Sequence, residues 1–373
     1  MQHLAPSRWG ELGLDAQSAL ASHALELFDG ACGDNVTFSA RSMAALLLAH
    51  CVCQAGPGLW AAALSRIQAA LAAGPVAVAP AAASVLVLQY VGEEVAGGQA
   101  VMEGDRRRAM LAALTESLDA VLPVLRGVME AHFVEFTRSG NSQHEGVVCE
   151  ALRCAEQVCE WCPLDRLGHW RMVDAFAVLG QQGSADTRLA AVECLRQLTQ
   201  RRVREEDGEP GRAVLAQAGR ALAGCAAAAL GSAEARASLM PGADNEDYGK
   251  RLCDSMQLFG STHLDTLDAS ERVGFLEIML AFTRHPSMTL AAFAAPLWGN
   301  LLRETRPKPG DARRPPLCPD DCVHAVLVAC RERLADEGHV IGRWLLMDKR
   351  RGFVWLVSDA MWDVTHATCI SGS

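Results

Sequence analysis

Phe282-Thr283-Arg284-His285-Pro286-Ser287, with Leu297-Trp298-Gly299 and Leu301-Leu302-Arg303 a helix's length later, is the stretch that decides how this chain reads. The apolar run Gly274 to Phe282 predicts one helix and Met288 to Leu302 the next, with Pro286 at a helix start, where a missing N–H costs nothing. Pro296 is expected to kink the second helix, and Trp298 to lie near its close. None of these residues has to be catalytic. Two helices around a Pro-containing turn are the unit of a scaffold that meets partners over a long surface, not of an enzyme built around one pocket.

Working outward, composition agrees. The 373 residues are 50% hydrophobic but only 5% aromatic, so a large core must be filled with Ala, Leu, Val and Cys. Ala and Leu form helices well, and the β-branched and aromatic residues that sheets prefer are scarce outside short runs. The expectation is an all-α chain, a right-handed superhelical array of antiparallel helix pairs with no strict domain boundary. A net charge of −10 and a pI near 5.6 argue against a nucleic-acid binder that relies on bulk positive charge, though a basic face can coexist with an acidic one. The fourteen cysteines are scattered through apolar helical text such as Val148-Cys149 and Glu193-Cys194-Leu195, and read as small buried hydrophobes of a reducing compartment. No signal-peptide pattern opens the chain, so the sequon Asn35-Val36-Thr37 is expected to be idle.

Ile67 to Gly92 carries no formal charge and is long enough to suggest a membrane span. Gly74-Pro75 and Pro80 interrupt it, and two buried helices, Gly58 to Ala73 and Ala81 to Val95, explain it better. Amphipathic helices are expected around Leu20, Ala24, Leu27 and Phe28, and around Met43, Leu46, Leu47 and Cys51. Asp105 is placed to cap a long helix through Phe136, with Arg106, Arg107 and Arg108 just inside, at the helix end where positive charge is least welcome. Further along come Val147 to Trp161, a turn at Pro163-Leu164-Asp165, Leu167 to Leu179, and Asp186 to Arg201. Helix starts at Val147 and Asp186 lie about 39 residues apart, and those at Asn245 and Pro286 about 40 apart, near the period of HEAT arrays. Arg201 to Gly211 and Arg306 to Pro319 read as exposed loops, and Met347 to Ser373, with its strand-like Phe353-Val354-Trp355-Leu356-Val357, departs from the helical pattern.

Catalytic and metal chemistry finds little footing. Cys159-Glu160-Trp161-Cys162 has thiol-redox or half-zinc spacing, with Cys51-Val52-Cys53 or Cys318 and Cys322 as imaginable partners, but no second C-x-x-C and no His at finger spacing accompany it. His169, His263 and His285 sit at helix edges, where a hydrogen-bonded structural role is the commoner one. No H-E-x-x-H, phosphate loop, dinucleotide fingerprint or G-x-S-x-G elbow is present, so no catalytic residue, metal ligand or cofactor is expected.

Several segments, in order, resemble one family. Arg8-Trp9, Pro57-x-x-Trp60, Gly104-Asp105-Arg106-Arg107-Arg108, Ala151-Leu152, Trp161, Ala191-Val192-Glu193-Cys194-Leu195, Arg201-Arg202, Lys250-Arg251-Leu252-Cys253 and finally Phe282-Thr283-x-His285-Pro286-Ser287 with Trp298-Gly299 are similar to the N-terminal part of the exportin-5 (Hasty-like) karyopherins of the importin-β superfamily. The resemblance implies a HEAT-repeat α-solenoid that catalyses nothing, shuttles between nucleus and cytoplasm and touches no membrane. It further implies binding of Ran-GTP, of hairpin RNA with a 3′ overhang such as microRNA precursors, and of nucleoporins, with GTP hydrolysis on Ran releasing cargo. It divides the chain into 1–40, a remnant of the importin-β-like N-terminal region; 41–205, an exportin-1/importin-β-like domain; 206–346, further HEAT repeats; and 347–373, a divergent tail. On this reading both ends are incomplete relative to the family. The polar contacts proposed for partners are Arg106, Arg107 and Arg108, then Arg201, Arg202 and Arg204. The rival reading is a HEAT-repeat interaction scaffold with no Ran or RNA link.

Overall fold

A computed structural model describes residues 9–96, 104–203, 207–304, 321–322 and 324–329. Among them every regular element is helical. Two compact units emerge, Met1–Ala218 and Gly219–Ser373.

The first unit is built from helix pairs. Helix α1 (Leu14–Ala31) packs on α2 (Phe38–Ala55), and α3 (Pro57–Ala73) lies beside α4 (Val78–Ala96). The expected long helix is two, α5 (Gly104–Glu116) and α6 (Leu118–Ser139), followed by α7 (Ser142–Trp161), a short α8 (Leu164–His169), α9 (Met172–Gln182) and α10 (Ala185–Thr199). Helices α2, α4, α7 and α10 pack successively side by side, so one row of helices runs through the unit while α1, α6 and α9 back it. This stacking of antiparallel pairs, each burying a face on its neighbours, is the HEAT-repeat solution to an Ala- and Leu-rich chain.

Burial explains the uncharged text. Helix α4 is covered by α2 on one side and α7 on the other, and it buries Ala81, Val85, Leu88, Val91 and Val95. A helix sandwiched this way must be apolar nearly all round. Among the described residues the helix long and apolar enough to cross a membrane is instead α11 (Gly208–Leu230), but 61% of its most apolar window is buried within the protein.

Local signals set many of the boundaries. Thr37 caps α2, its side chain accepting from the Ala40 N–H at 3.3 Å. Gly56, at φ 94°, closes α2 in a conformation open to glycine, and Pro57 then starts α3 at the position where it leaves no orphan donor. Gly140, at φ 68°, ends α6, and Asn141 caps α7 through the Gln143 N–H at 3.0 Å, so that α7 begins at Ser142 and not at Val147.

Elsewhere the pattern misled. The break between α5 and α6 falls at Ser117, whose hydroxyl donates to Leu114 O (2.9 Å) and accepts from Trp60 Nε1 (3.0 Å) on α3. A distant tryptophan thus fixes the residue where the helix is interrupted. The predicted helix Leu167 to Leu179 is divided too, and the predicted turn at Leu164 and Asp165 is already the start of α8. The divide comes at Arg171, in the left-handed region at φ 52°. Next to it, Trp170 Nε1 donates to Asp119 on α6 (3.1 Å) and Trp170 O accepts from Arg126 (3.2 Å). The buried face of α2 is also rotated from the expected one: Ala45, Leu48, Ala49 and Val52 are buried with Cys51, whereas Met43 is 57% exposed and Leu46 and Leu47 are half-buried. In α1, Ala24 and Phe28 are buried as expected, Leu20 is half-buried and Leu27 is exposed.

The second unit holds α12 (Ala233–Ala237), α13 (Glu246–Thr262), α14 (Ala269–Thr283) and α15 (Met288–Glu304), with α13 and α14 both packed on α15. Asp268 and Glu271 form a reciprocal capping box at the start of α14 (2.8 and 3.1 Å). Pro286 lies just ahead of α15 and Pro296 within it. Gly219 is needed for close approach: a Cβ there would stand 2.3 Å from the Phe259 ring. Phe259 in turn packs on Phe275 at 5.4 Å between ring centroids.

Candidate partner-binding surfaces

The arginines at helix ends were the proposed partner contacts, and most of them turn inward. Arg107 donates through Nε to Val95 O and through Nη2 to Ala96 O, both at 3.0 Å, closing the last turn of α4. Arg201 Nη1 reaches Cys159 O at 3.2 Å and also Cys162 O, closing α7. Arg106 donates to Gln54 Oε1 at the end of α2 (3.2 Å). Arg108 pairs with Asp105 beside it, and both are largely exposed. Arg202 is exposed, and Arg204 lies outside the described residues. Asp105 lies within the first turn of α5, which starts at Gly104.

These contacts have one physical cause. The last carbonyls of a helix lack intrahelical partners and carry the negative end of its dipole, so a guanidinium placed there is favoured twice. Arg41 shows the same device, unnoticed in the sequence: only 8% exposed, it donates to Ala31 O (3.1 Å), Gly33 O and Val36 O (both 3.3 Å) behind α1. Its one available signal was an arginine inside an otherwise apolar helix face.

The Phe282–Ser287 stretch is likewise a joint. Phe282 is fully buried. Thr283 Oγ1 donates to Met279 O (2.9 Å) and accepts from Trp298 Nε1 (2.9 Å), which locks α14 to α15. His285, 2% exposed, accepts at Nδ1 from the Ser287 N–H (3.1 Å), which leaves Nε2 as the donor to Arg236 O (3.1 Å). The structural role expected of this histidine is met.

Thiol chemistry is suppressed where the C-x-x-C stands. Burial pushes the Cys159 thiol well above its ordinary value and raises Cys162 to about 12, the nearby Arg201 charge opposing both shifts only in part. A thiol held protonated is a poor nucleophile. Among the described residues no group of three or more His, Cys, Asp or Glu converges as a metal site. An apolar cavity of about 20 Å³, walled by Trp60, Leu88, Cys154 and Trp161, has room for about one water and none for a substrate.

Two family models match in succession along these helices, Exportin 1-like protein over residues 40–195 and the Exportin-5 family over residues 244–343. The chain is also 28% identical over 327 residues to "Protein HASTY 1" of Arabidopsis thaliana, an alignment that covers 84% of this chain and 26% of that protein. The chain is thus similar to exportin-5-like karyopherins along two successive stretches. It spans about a quarter of the length of that relative. The first matched region takes in the row α2, α4, α7 and most of α10, and the second begins just before α13.

Proposed function

We propose that this chain acts as an exportin-5-like nuclear export receptor, shuttling between nucleus and cytoplasm and binding Ran-GTP together with structured small RNA, hairpins with a 3′ overhang such as microRNA precursors. The observation that carries the reading is the order of the two matches along one chain of stacked helix pairs: an Exportin 1-like region followed by an Exportin-5 region. Exportins are transport receptors, so hydrolysis of GTP belongs to Ran and releases the cargo, while this chain supplies surface. Arg108 and Arg202, exposed at helix ends, are, among the proposed contacts that are described, the cations best placed to meet a partner; Arg106, Arg107 and Arg201 contribute by fixing helix ends. Nucleoporins complete the set of partners.

The test is retention of Ran on the immobilised chain, loaded with GTP or GDP, with and without a hairpin RNA bearing a 3′ overhang. Retention in the GTP state alone, strengthened by the RNA, is the expected result. Equal retention in both nucleotide states, or none from a folded helical chain, would sink the proposal. One observation favours a second reading, a HEAT-repeat scaffold without Ran or RNA: guanidinium groups that an RNA-binding face would present are turned onto helix carbonyls instead.

A further inference from the structure

Buried and exposed residues are divided sharply within the Phe282–Ser287 stretch. Phe282, Thr283, His285 and Ser287 are buried, while Arg284 and Pro286 face solvent. The joint described above accounts for the buried four. The exposed two border an open recess whose other walls are Leu280, Ala281 and Glu277 of α14, Arg236 of α12 and the buried His285.

The position of Arg236 is fixed from two sides. Its carbonyl accepts from His285 Nε2 at 3.1 Å, and its Nη1 donates to Leu230 O at 2.7 Å. Arg236 lines the recess together with Arg284. Among the described residues neither arginine is ion-paired with a carboxylate, whereas in the same unit Arg220 pairs with Glu271 (3.1 Å) and Lys250 with Glu246 (2.6 Å). Two cations not ion-paired among the described residues, one of them anchored before any ligand arrives, outnumber the single carboxylate of Glu277 and form a pre-organised acceptor for negative charge.

We propose that this recess docks an acidic peptide segment of a protein partner. Its carboxylates lie between Arg236 and Arg284, and a neighbouring apolar side chain rests on Leu280, Ala281 and Pro286. Charge complementarity selects this occupant: on a chain of net charge −10, an acidic segment is repelled by most of the surface and steered to the recess. A nucleic acid fits less well, because a phosphate backbone is tracked by a series of cations and its bases by stacking rings. This recess offers two cations, a carboxylate at Glu277 and an apolar floor, and its one aromatic ring is that of His285, 2% exposed and held at both nitrogens. The docking does not depend on binding of Ran or RNA.

The test uses the full chain and fluorescence anisotropy of a labelled peptide carrying two adjacent glutamates flanked by leucines. Binding is expected to weaken about tenfold for Arg236→Ala and for Arg284→Ala, each the loss of roughly one charge-assisted contact. The Arg138→Ala control, in the other unit, is expected to leave it unchanged. With Arg236→Glu and Arg284→Glu combined, a peptide carrying lysines in place of the glutamates should bind instead. Circular dichroism confirms that each variant is folded. The proposal is overturned if the glutamate peptide does not bind, if both alanine variants bind it as well as the original chain, or if oligouridylate displaces it and binds more tightly. Failure of the Ran experiment would leave this outcome untouched.

Discussion

Arg107 and Arg201 in the first unit, and Arg236 and Arg284 in the second, all stand near helix ends, yet they do different work. The first two deliver their guanidinium groups to carbonyls at the ends of α4 and α7. Arg236 gives one nitrogen to such a carbonyl, and Arg284 rises from a turn whose polar groups already have partners in Thr283, His285 and Ser287. An arginine at a helix end therefore becomes available to a partner only when the carbonyls behind it are satisfied by something else. Sequence position alone does not reveal which case holds.

The largest blow to this comparison would come from the wall behind the recess. Phe282→Ala, at a fully buried site, is expected to cost about 3–5 kcal/mol. Chemical denaturation measures it; a cost below about 1 kcal/mol would mean that the α14–α15 joint is not packed as described.

Next in size is a pH effect confined to the first unit. His132 is fully buried, its Nδ1 lies 2.9 Å from that of His144, and its Nε2 meets no hydrogen-bond partner among the described residues. Burial, aided by His144 and opposed by Glu135, lowers it from 6.5 to about 4. The folded form thus binds its proton less readily than the unfolded chain. Stability is full above about pH 6.5 and is lost as pH falls toward 4, by about 2 kcal/mol between pH 7.5 and 5. Urea midpoints at the two pH values should show the loss, and His132→Gln should flatten it.

A smaller effect separates the arginines themselves. Arg201→Ala and Arg107→Ala should each destabilise by about 1–2 kcal/mol, since the half-buried carbonyls they serve lose a charged donor. Arg284→Ala, exposed and unpaired, should stay within about 0.5 kcal/mol on stability and change only peptide binding. Equal melting shifts for all three would erase the distinction between capping and presenting arginines.

Much of the architecture was legible. The uncharged text around Gly74-Pro75 gave α3 to within one residue, because a Gly/Pro turn must separate it from the next helix, whereas α4 starts at Val78 and not at Ala81, with Pro80 in its first turn, where a missing N–H is tolerated. The start of α13 after Asn245 was visible for similar local reasons. The rotated face of α2 was not: where Ala, Leu and Cys surround a helix, period reports that it is helical without fixing which side turns inward. Of the proposed partner contacts, Arg108 is exposed near the start of α5 and Arg202 is exposed beyond α10, but the capping by Arg107 and Arg201 depends on carbonyls dozens of residues away or in the preceding helix. The recess was illegible for the same reason. Arg236 belongs to a five-residue helix in polar text, and nothing local ties it to His285.

By itself, then, the sequence determined the stacked helix pairs of the described residues, many of their Gly and Pro boundaries, their buried cysteines and, through Phe282-Thr283-x-His285-Pro286-Ser287, a resemblance to exportin-5-like karyopherins. Local propensity and apolar period act over a few residues and need no knowledge of the partners in space. Tertiary structure alone decided where helices break, at Ser117 under Trp60 and at Arg171 beside Trp170, and which guanidinium groups close carbonyls or face outward. Those outcomes rest on directional hydrogen bonds between residues far apart in the chain, whose geometry exists only after the helices have packed.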